Sequence, residues 1–204
     1  LLSRHGQVEY LTTVKYIREC LAGIPEPTIV EIGAGTGRYS VTLAKEGCRV
    51  TAVELIAHNL DILKSKLDGS EPLLALQGNA LYLTFLPDAA YDLTMLLGPM
   101  YHLYTREDKL QALAEAVRVL QPGGWLAVAT LGADNFPELR QVFADLDDYS
   151  HVLAIPSPES LQAACRTRGW NVRVWERQPV RRHYPDVRTL LRSVKAVGAR
   201  EVEQ

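Results

Sequence analysis

The chain has 204 residues, 47% apolar and 23% charged, with a formal net charge of −2. That length buries roughly 70% of the unfolded surface, so a core can hold without disulfides or a metal, and the composition is that of an ordinary globular protein. No apolar run reaches the ~18 residues of a membrane-spanning helix. The opening LLSRHGQVEY sets Arg4 and His5 where the apolar stretch of a leader would continue, so no secretory signal is expected. Cys20, Cys48 and Cys165 are far apart with no CxxC, and the five histidines form no HxH or HxxxH pair. Free thiols in a reducing, cytoplasmic setting and no metal site are expected.

In chain order, VEYLTTVKYIRECLAG predicts a helix ending at Gly23, with Val8, Leu11, Val14 and Ile17 on similar faces, stopped by Pro25 and Pro27. TIVEI (28–32) is a short β-rich run. Helix-compatible residues follow from Arg38 to Glu46, then RVTAVEL (49–55) predicts a strand and AHNLDILKSKL (57–67) a helix. EPLLALQG (71–78) is a third strand candidate. YDLTMLLG (91–98) is almost continuously apolar, as a strand covered on both faces should be. Thr105 is the expected cap of the next helix, with Asp108 three residues on. QPGG (121–124) should end that helix and WLAVATLG (125–132) form another buried strand. Farther on, Ser157-Pro158-Glu159 predicts a helix start and Gly169 its end, WNVRVWE (170–176) alternates as a strand, PVRRHY is a candidate last strand, and Asp186 should cap a closing helix to about Val197. Strand and helix alternate through short connections, which implies an α/β, doubly wound, mostly parallel sheet with helices on both faces.

EIGAGTG (31–37) follows the first strand. In an open α/β sheet ligands sit at the carboxyl ends of the strands, so this first turn is the expected cradle. A dinucleotide-binding G-x-G-x-x-G is not met, because Arg38 stands where its last glycine belongs. A phosphate-binding G-x-x-x-x-G-K-[ST] is absent too. E-x-G-x-G-x-G instead resembles motif I of the class I S-adenosylmethionine-dependent methyltransferases. Glu54, at the end of the second strand, and Asn79 in GNAL stand where that family places an acid and a polar side chain, although Asp is more frequent than Asn at the latter. YDLTMLLG resembles motif IV and RVLQPGGWLAV the helix–turn–strand after it, so the resemblance runs from Thr28 to Val128. It implies a seven-stranded Rossmann-like sheet and S-adenosyl-L-methionine as cofactor, with S-adenosyl-L-homocysteine as product. The cofactor would be held by Glu31, Gly33, Ala34, Gly35, Gly37, Glu54, Leu55, Asn79, Ala80, Leu97 and Gly98. In that setting Glu31 meets the methionyl ammonium, Glu54 the ribose hydroxyls and Asn79 the adenine.

Methyl transfer from a sulfonium needs alignment and exclusion of water more than a catalytic triad. GPMYHLY (98–104) follows motif IV directly, which makes Tyr101 and His102 candidate catalytic residues. His102 could serve as a general base near neutral pH, or it could simply hydrogen-bond the following loop.

TLGADNFPELRQVFADLDDYSHV and HYPDVRTLLRSVKAVGA resemble the malonyl-acyl-carrier-protein O-methyltransferases of biotin synthesis, which esterify the free carboxylate of a carrier-bound malonyl group. The charge pattern bears on this independently. Arg166 to Lys195 holds nine basic and two acidic residues, a local charge of +7 against −9 elsewhere. Arg188, Arg192 and Lys195 line up beside an apolar stripe of Val187, Leu190, Leu191 and Val194. An acidic acyl carrier protein would suit that surface, and Arg181 or Arg182 could pair with a malonyl carboxylate. The stripe could equally be a solvated helix face. One methyltransferase domain over 1–204 is expected, with a cofactor-binding core at 28–128 and a substrate- or partner-facing part at 133–204. The readings left open are O-methylation of carrier-bound malonyl, methylation of a free phenol or amine, and a cofactor-binding module without turnover. A nucleic-acid or membrane partner is not expected.

Overall fold

The computed structural model describes residues 4–132, 137–145, 157–167, 169–177 and 183–196. The chain divides into two compact units, Leu1–Thr130 and Leu131–Gln204.

The first unit runs α1 (Arg4–Leu21), β1 (Thr28–Ile32), α2 (Arg38–Lys45), β2 (Arg49–Glu54), α3 (Ala57–Lys64), β3 (Leu73–Gln77), β4 (Tyr91–Leu96), α4 (Arg106–Val119) and β5 (Leu120–Val128), with a 3₁₀ turn at Pro99–Tyr101. Its strands form one sheet in the order β3-β2-β1-β4-β5, and every pairing is parallel. Strand alternation sends β1 side chains to two cores. Val30 and Ile32 pack with Val53, Leu96, Ala112, Ala116 and Val119, whereas Ile29 packs with Ile17, Leu21, Leu43 and Met95. Burying each large side chain in such a core stabilises by roughly 1.5–3 kcal/mol. Glu31 shares the parity of Ile29, so it faces α2. The winding reverses after β3, because β4 returns to the far side of β1. The carboxyl ends of β1 and β4 therefore flank the switch point where such sheets open a crevice.

Local signals behave as expected at the helix starts. Thr105 Oγ1 accepts a hydrogen bond from Asp108 N at 3.0 Å, closing the first turn of α4. In the second unit α5 (Pro137–Ala144), which the sequence did not suggest, precedes α6 (Pro158–Thr167) and α7 (Val187–Ala196). Ser157 Oγ accepts from Ser160 N at 3.2 Å, and Gly169 takes the left-handed conformation after α6. Asp186 Oδ1 accepts from Thr189 N at 2.7 Å at the start of α7. The expected end at Val197 lies outside the described residues.

The expectation of seven strands is corrected to five among the described residues. Residues 170–176 alternate in sequence but form no ladder there, since alternation is local and a strand exists only when paired. Of the PVRRHY candidate, 179–182 lie outside the described residues, while His183 and Tyr184 are irregular. QPGG is not a separate turn but part of β5. The pairing slips from Tyr91↔Leu120 to Leu93↔Trp125 around it, and Gly123 has φ 81°, so the strand absorbs the extra residues as a bulge.

Candidate active site

The turn between β1 and α2 is an elbow of three left-handed glycines, two of them also closely packed and one open. A Cβ on Gly33 would meet Pro99 Cγ at 2.6 Å, and one on Gly37 would meet Leu63 Cγ at 2.5 Å. Those two positions are small because the segment after β4 and helix α3 press against them. Gly35 differs. A Cβ there would meet nothing within 4 Å, so only its φ of 56° argues against a side chain, and the space above it is open.

The elbow is fastened to the tip of β2. Gly33 N and Ala34 N both donate to Val53 O, at 2.8 and 3.0 Å, and Gly35 N donates to Glu54 Oε2 at 2.7 Å. The other carboxylate oxygen of Glu54 accepts from Ile56 N at 2.9 Å and Asn59 Nδ2 at 3.4 Å. A carboxylate offers about four lone-pair positions, and these three bonds leave capacity for a hydroxyl donor. Glu54 is 6% exposed, yet Leu55 and Ile56 beside it are 54% and 52% exposed. An acid next to bare aliphatic surface suits a ligand with a polar sugar and a flat apolar ring.

Glu31 is 3% exposed. Its Oε2 accepts from Ser40 N at 2.9 Å and from Ser40 Oγ. Burial pushes its pKa up to about 7; the two Ser40 hydrogen bonds oppose the shift and the charge of Glu54 adds to it. A buried acid so poised is suited to a cation.

Beyond β3, Asn79 closes a turn. Its Oδ1 accepts from Leu81 N at 3.0 Å and its carbonyl from Tyr82 N at 3.0 Å, which leaves the side-chain NH2 as a donor not consumed by the turn. Ala80 packs at the edge of the core that contains Val53 and Leu96. On the other side, Leu97 is partly buried and Gly98 lies 3.4 Å from Gly33 O as measured to its would-be Cβ.

Tyr101 ends the 3₁₀ turn. Although 37% exposed, its hydroxyl has a pKa pushed up to about 12, first by desolvation and then by the charges of Glu9 and Tyr39. Tyr39 is raised too, mainly by burial, against a hydrogen bond with Thr13 and with Glu9 and Glu31 among its neighbours. Helix α1 is pinned to the same corner. Arg38 stacks on the Tyr10 ring at 4.1 Å and donates to Gly6 O at 2.8 Å, while the Tyr10 hydroxyl bonds Thr42 Oγ1 at 2.6 Å. His102 is exposed and its backbone N–H donates to Pro99 O at 2.9 Å.

The elbow, Glu31, Glu54, Asn79, Gly98 and Tyr101 thus all belong to loops and strand ends at one edge of the first unit. Arg188 and Arg192 belong to the second unit, exposed on α7 beside Val187 and Leu191. Arg181 and Arg182 lie outside the described residues, as does the side chain of Lys195. Sequence reasoning missed Ser40, Tyr39, Ile56 and Asn59. Ser40 and Tyr39 matter through partners that folding supplies, so no spacing marks them. Ile56 and Asn59 could have been suspected from their nearness to Glu54. No group of three His, Cys, Asp or Glu suited to a metal occurs among the described residues, and no described helix is long and apolar enough to cross a membrane.

A parallel sheet reversing at β1, a glycine elbow bonded to an acid at the tip of β2, and a polar turn after β3 define a Rossmann-like fold of the methyltransferase type. Residues 30–128 match the methyltransferase domain family. A malonyl-[acyl-carrier protein] O-methyltransferase of Methylococcus capsulatus is 32% identical over 88% of this chain and 65% of its own length. One of Serratia marcescens is 32% identical over 88% of this chain and 67% of its own. Among solved structures, a SAM-dependent methyltransferase of Methanosarcina mazei superimposes with a TM-score of 0.56 at 20% identity, over 64% of each chain. The chain belongs to the S-adenosylmethionine-dependent methyltransferase family. It spans about two thirds of the length of these two relatives, and the similarity, covering 88% of the chain, reaches well beyond the C-terminal segments that resemble them.

Proposed function

We propose that this chain takes S-adenosylmethionine in the Gly33–Gly37 elbow and transfers its methyl group to the free carboxylate of a malonyl group on acyl carrier protein. The cofactor assignment is carried by the Glu54 bracket, which holds the glycine elbow by one oxygen and still has acceptor capacity beside exposed Leu55 and Ile56. When bound, the cofactor supplies a methyl group already activated on a sulfonium, leaving S-adenosylhomocysteine. The chain's own part is to hold and align. Glu54 accepts from a ribose hydroxyl at its remaining lone-pair position, and the Glu31 carboxylate meets the methionyl ammonium. Asn79 and Ala80 border the base, while Leu97 and Gly98 line the floor. Tyr101, un-ionised at neutral pH, donates a hydrogen bond on the acceptor side and keeps water out. A carboxylate is nucleophilic as it stands, so His102, exposed to solvent, has no proton to remove.

The acceptor assignment is supported by the names of the relatives and by α7, where Arg188 and Arg192 stand beside exposed Val187 and Leu191. Such a surface suits an acidic carrier protein better than a nucleic acid, and Lys195, Arg181 and Arg182 extend its charge in sequence. The same reading puts the reaction in the cytoplasm, where Cys20, Cys48 and Cys165 stay reduced.

One observation favours a different acceptor. His102, exposed directly after the 3₁₀ turn that carries Tyr101, would serve as the base that a free amine or phenol, unlike a carboxylate, requires. Incubation with labelled cofactor and a panel of malonyl-carrier protein, free acids, phenols and amines, read by mass, separates the readings. Label on the carrier-bound malonyl group is expected, with His102→Ala close to wild type in rate. Label on an amine or phenol, with a loss of about 10²-fold or more in His102→Ala, establishes the second reading instead. Cofactor binding with no labelled product identifies a binding module.

A further inference from the structure

The turn after β3 is gripped from behind by one face of α4. Gln111 Nε2 donates to Leu81 O at 3.2 Å. Arg118 donates to Leu83 O at 2.7 Å and to Leu86 O at 3.1 Å. Glu115 Oε2 accepts from Leu83 N at 2.8 Å and pairs with Arg118 at 3.0 Å. Arg118 also pairs with Asp88. Leu83 and Leu86 are buried between these bonds.

Leu81 is the hinge of the arrangement. Its N–H donates to Asn79 Oδ1, and its carbonyl is the one that Gln111 holds. An amide nitrogen cannot accept a hydrogen bond, so the bond from Leu81 N fixes which end of Asn79 faces the turn. The other end, an NH2 donor, keeps its direction only while Leu81 and Leu83 keep theirs. Surface loops ordinarily move, and a loop that orders upon binding takes affinity away from the ligand. Here α4 holds four backbone groups of the segment before any ligand arrives.

We infer that Gln111, Glu115 and Arg118 are positioning residues for base recognition, holding the Asn79–Leu86 segment in the shape that presents the Asn79 amide to the adenine. The inference rests on the proposed cofactor seat. A merely structural clamp would stabilise the fold without affecting which base is chosen.

The test is calorimetry on the full chain with two probes, S-adenosylhomocysteine and its hypoxanthine counterpart S-inosylhomocysteine, which differs only at the base. Wild type should prefer adenine, whose ring N1 accepts from the Asn79 NH2 where hypoxanthine carries an N–H. Gln111→Ala, a change at an exposed position, and Arg118→Lys should shrink that preference by about tenfold, and Glu115→Gln, which keeps an acceptor for Leu83 N, should largely retain it. Thr28→Val, at the opposite edge of the sheet, should lower the melting temperature and leave the preference alone. If the variants weaken both probes in equal proportion, or Thr28→Val erodes the preference as much, the clamp acts through stability alone and the inference is overturned. Equal wild-type affinity for the two probes overturns it as well. Failure of wild type to bind S-adenosylhomocysteine at all overturns instead the proposed cofactor seat on which it rests.

Discussion

Strands β1 and β4 carry acids at opposite edges of the same sheet, and the two edges treat them in opposite ways. At the amino edge Asp92 accepts from Thr28 N at 2.8 Å, Thr28 Oγ1 at 2.6 Å and Gln121 Nε2 at 2.5 Å. Desolvation raises its pKa, but these hydrogen bonds outweigh it and the net shift is downward. At the carboxyl edge Glu31 is buried with one serine for company, and its pKa rises. Where no ligand is expected, the fold satisfies its acid. Where one is, it keeps a charge that folding alone does not reward, as functional sites commonly do.

The largest effect should come from Glu31→Gln. The folded-state pKa of Glu31 lies above the unfolded value, so the folded state holds the extra proton between about pH 4.5 and 7, and wild-type stability falls as pH rises through that window. The substituted amide keeps an acceptor for Ser40 without the buried charge. It should raise the stability of the free protein at pH 8 by up to about 3 kcal/mol, with little difference near pH 4.5, while weakening cofactor binding. Denaturant melts at the two pH values check this, and a loss of stability at pH 8 would erase the contrast between the edges.

Asp92→Ala should have the opposite sign. It leaves Thr28 N and Gln121 Nε2 without the carboxylate they donate to, while the Thr28 hydroxyl keeps Ala90 O, costing about 1–3 kcal/mol near neutral pH. Because the Asp92 pKa is lowered, this contribution is present above the ordinary carboxylate range and lost as pH falls through the folded value, so variant and wild type should converge in acid. Cofactor affinity should not move. Urea titrations at pH 7 and pH 3, with calorimetry beside them, measure both.

Gly35→Ala should cost least in stability, about 1–2 kcal/mol for a left-handed alanine with free space around it, yet impair cofactor binding because that space is the proposed seat. A Gly35→Ala protein with unchanged affinity would show that the open space is not used.

The sheet was legible as far as Val128 because each strand centres on a short apolar or β-branched run and most connections carry Gly, Pro or a cap. The elbow and Glu54 were legible because they need a particular residue type at a particular distance along the chain. The bulge in β5 was not, since QPGG has the composition of a turn and only its register with Tyr91 and Leu93 reveals a strand. Nor could residues 170–176 disclose that a ladder is missing. Ser40, Tyr10 and the α4 clamp act through neighbours 9 to 35 residues away, contacts that no local pattern encodes.

Pro99 rests directly on Gly33, so the two ligands of a transfer reaction would press on opposite ends of one short lever. Under the proposed function, a donor molecule settling into the bend would press on Pro99 and the turn that ends at Tyr101, and an acceptor held by Tyr101 would press back. Thermodynamic reciprocity makes the two effects equal in size. Titrating each ligand in the presence of the other should therefore yield one common interaction factor, and an inhibitor wedged at Pro99 would disturb both partners at once.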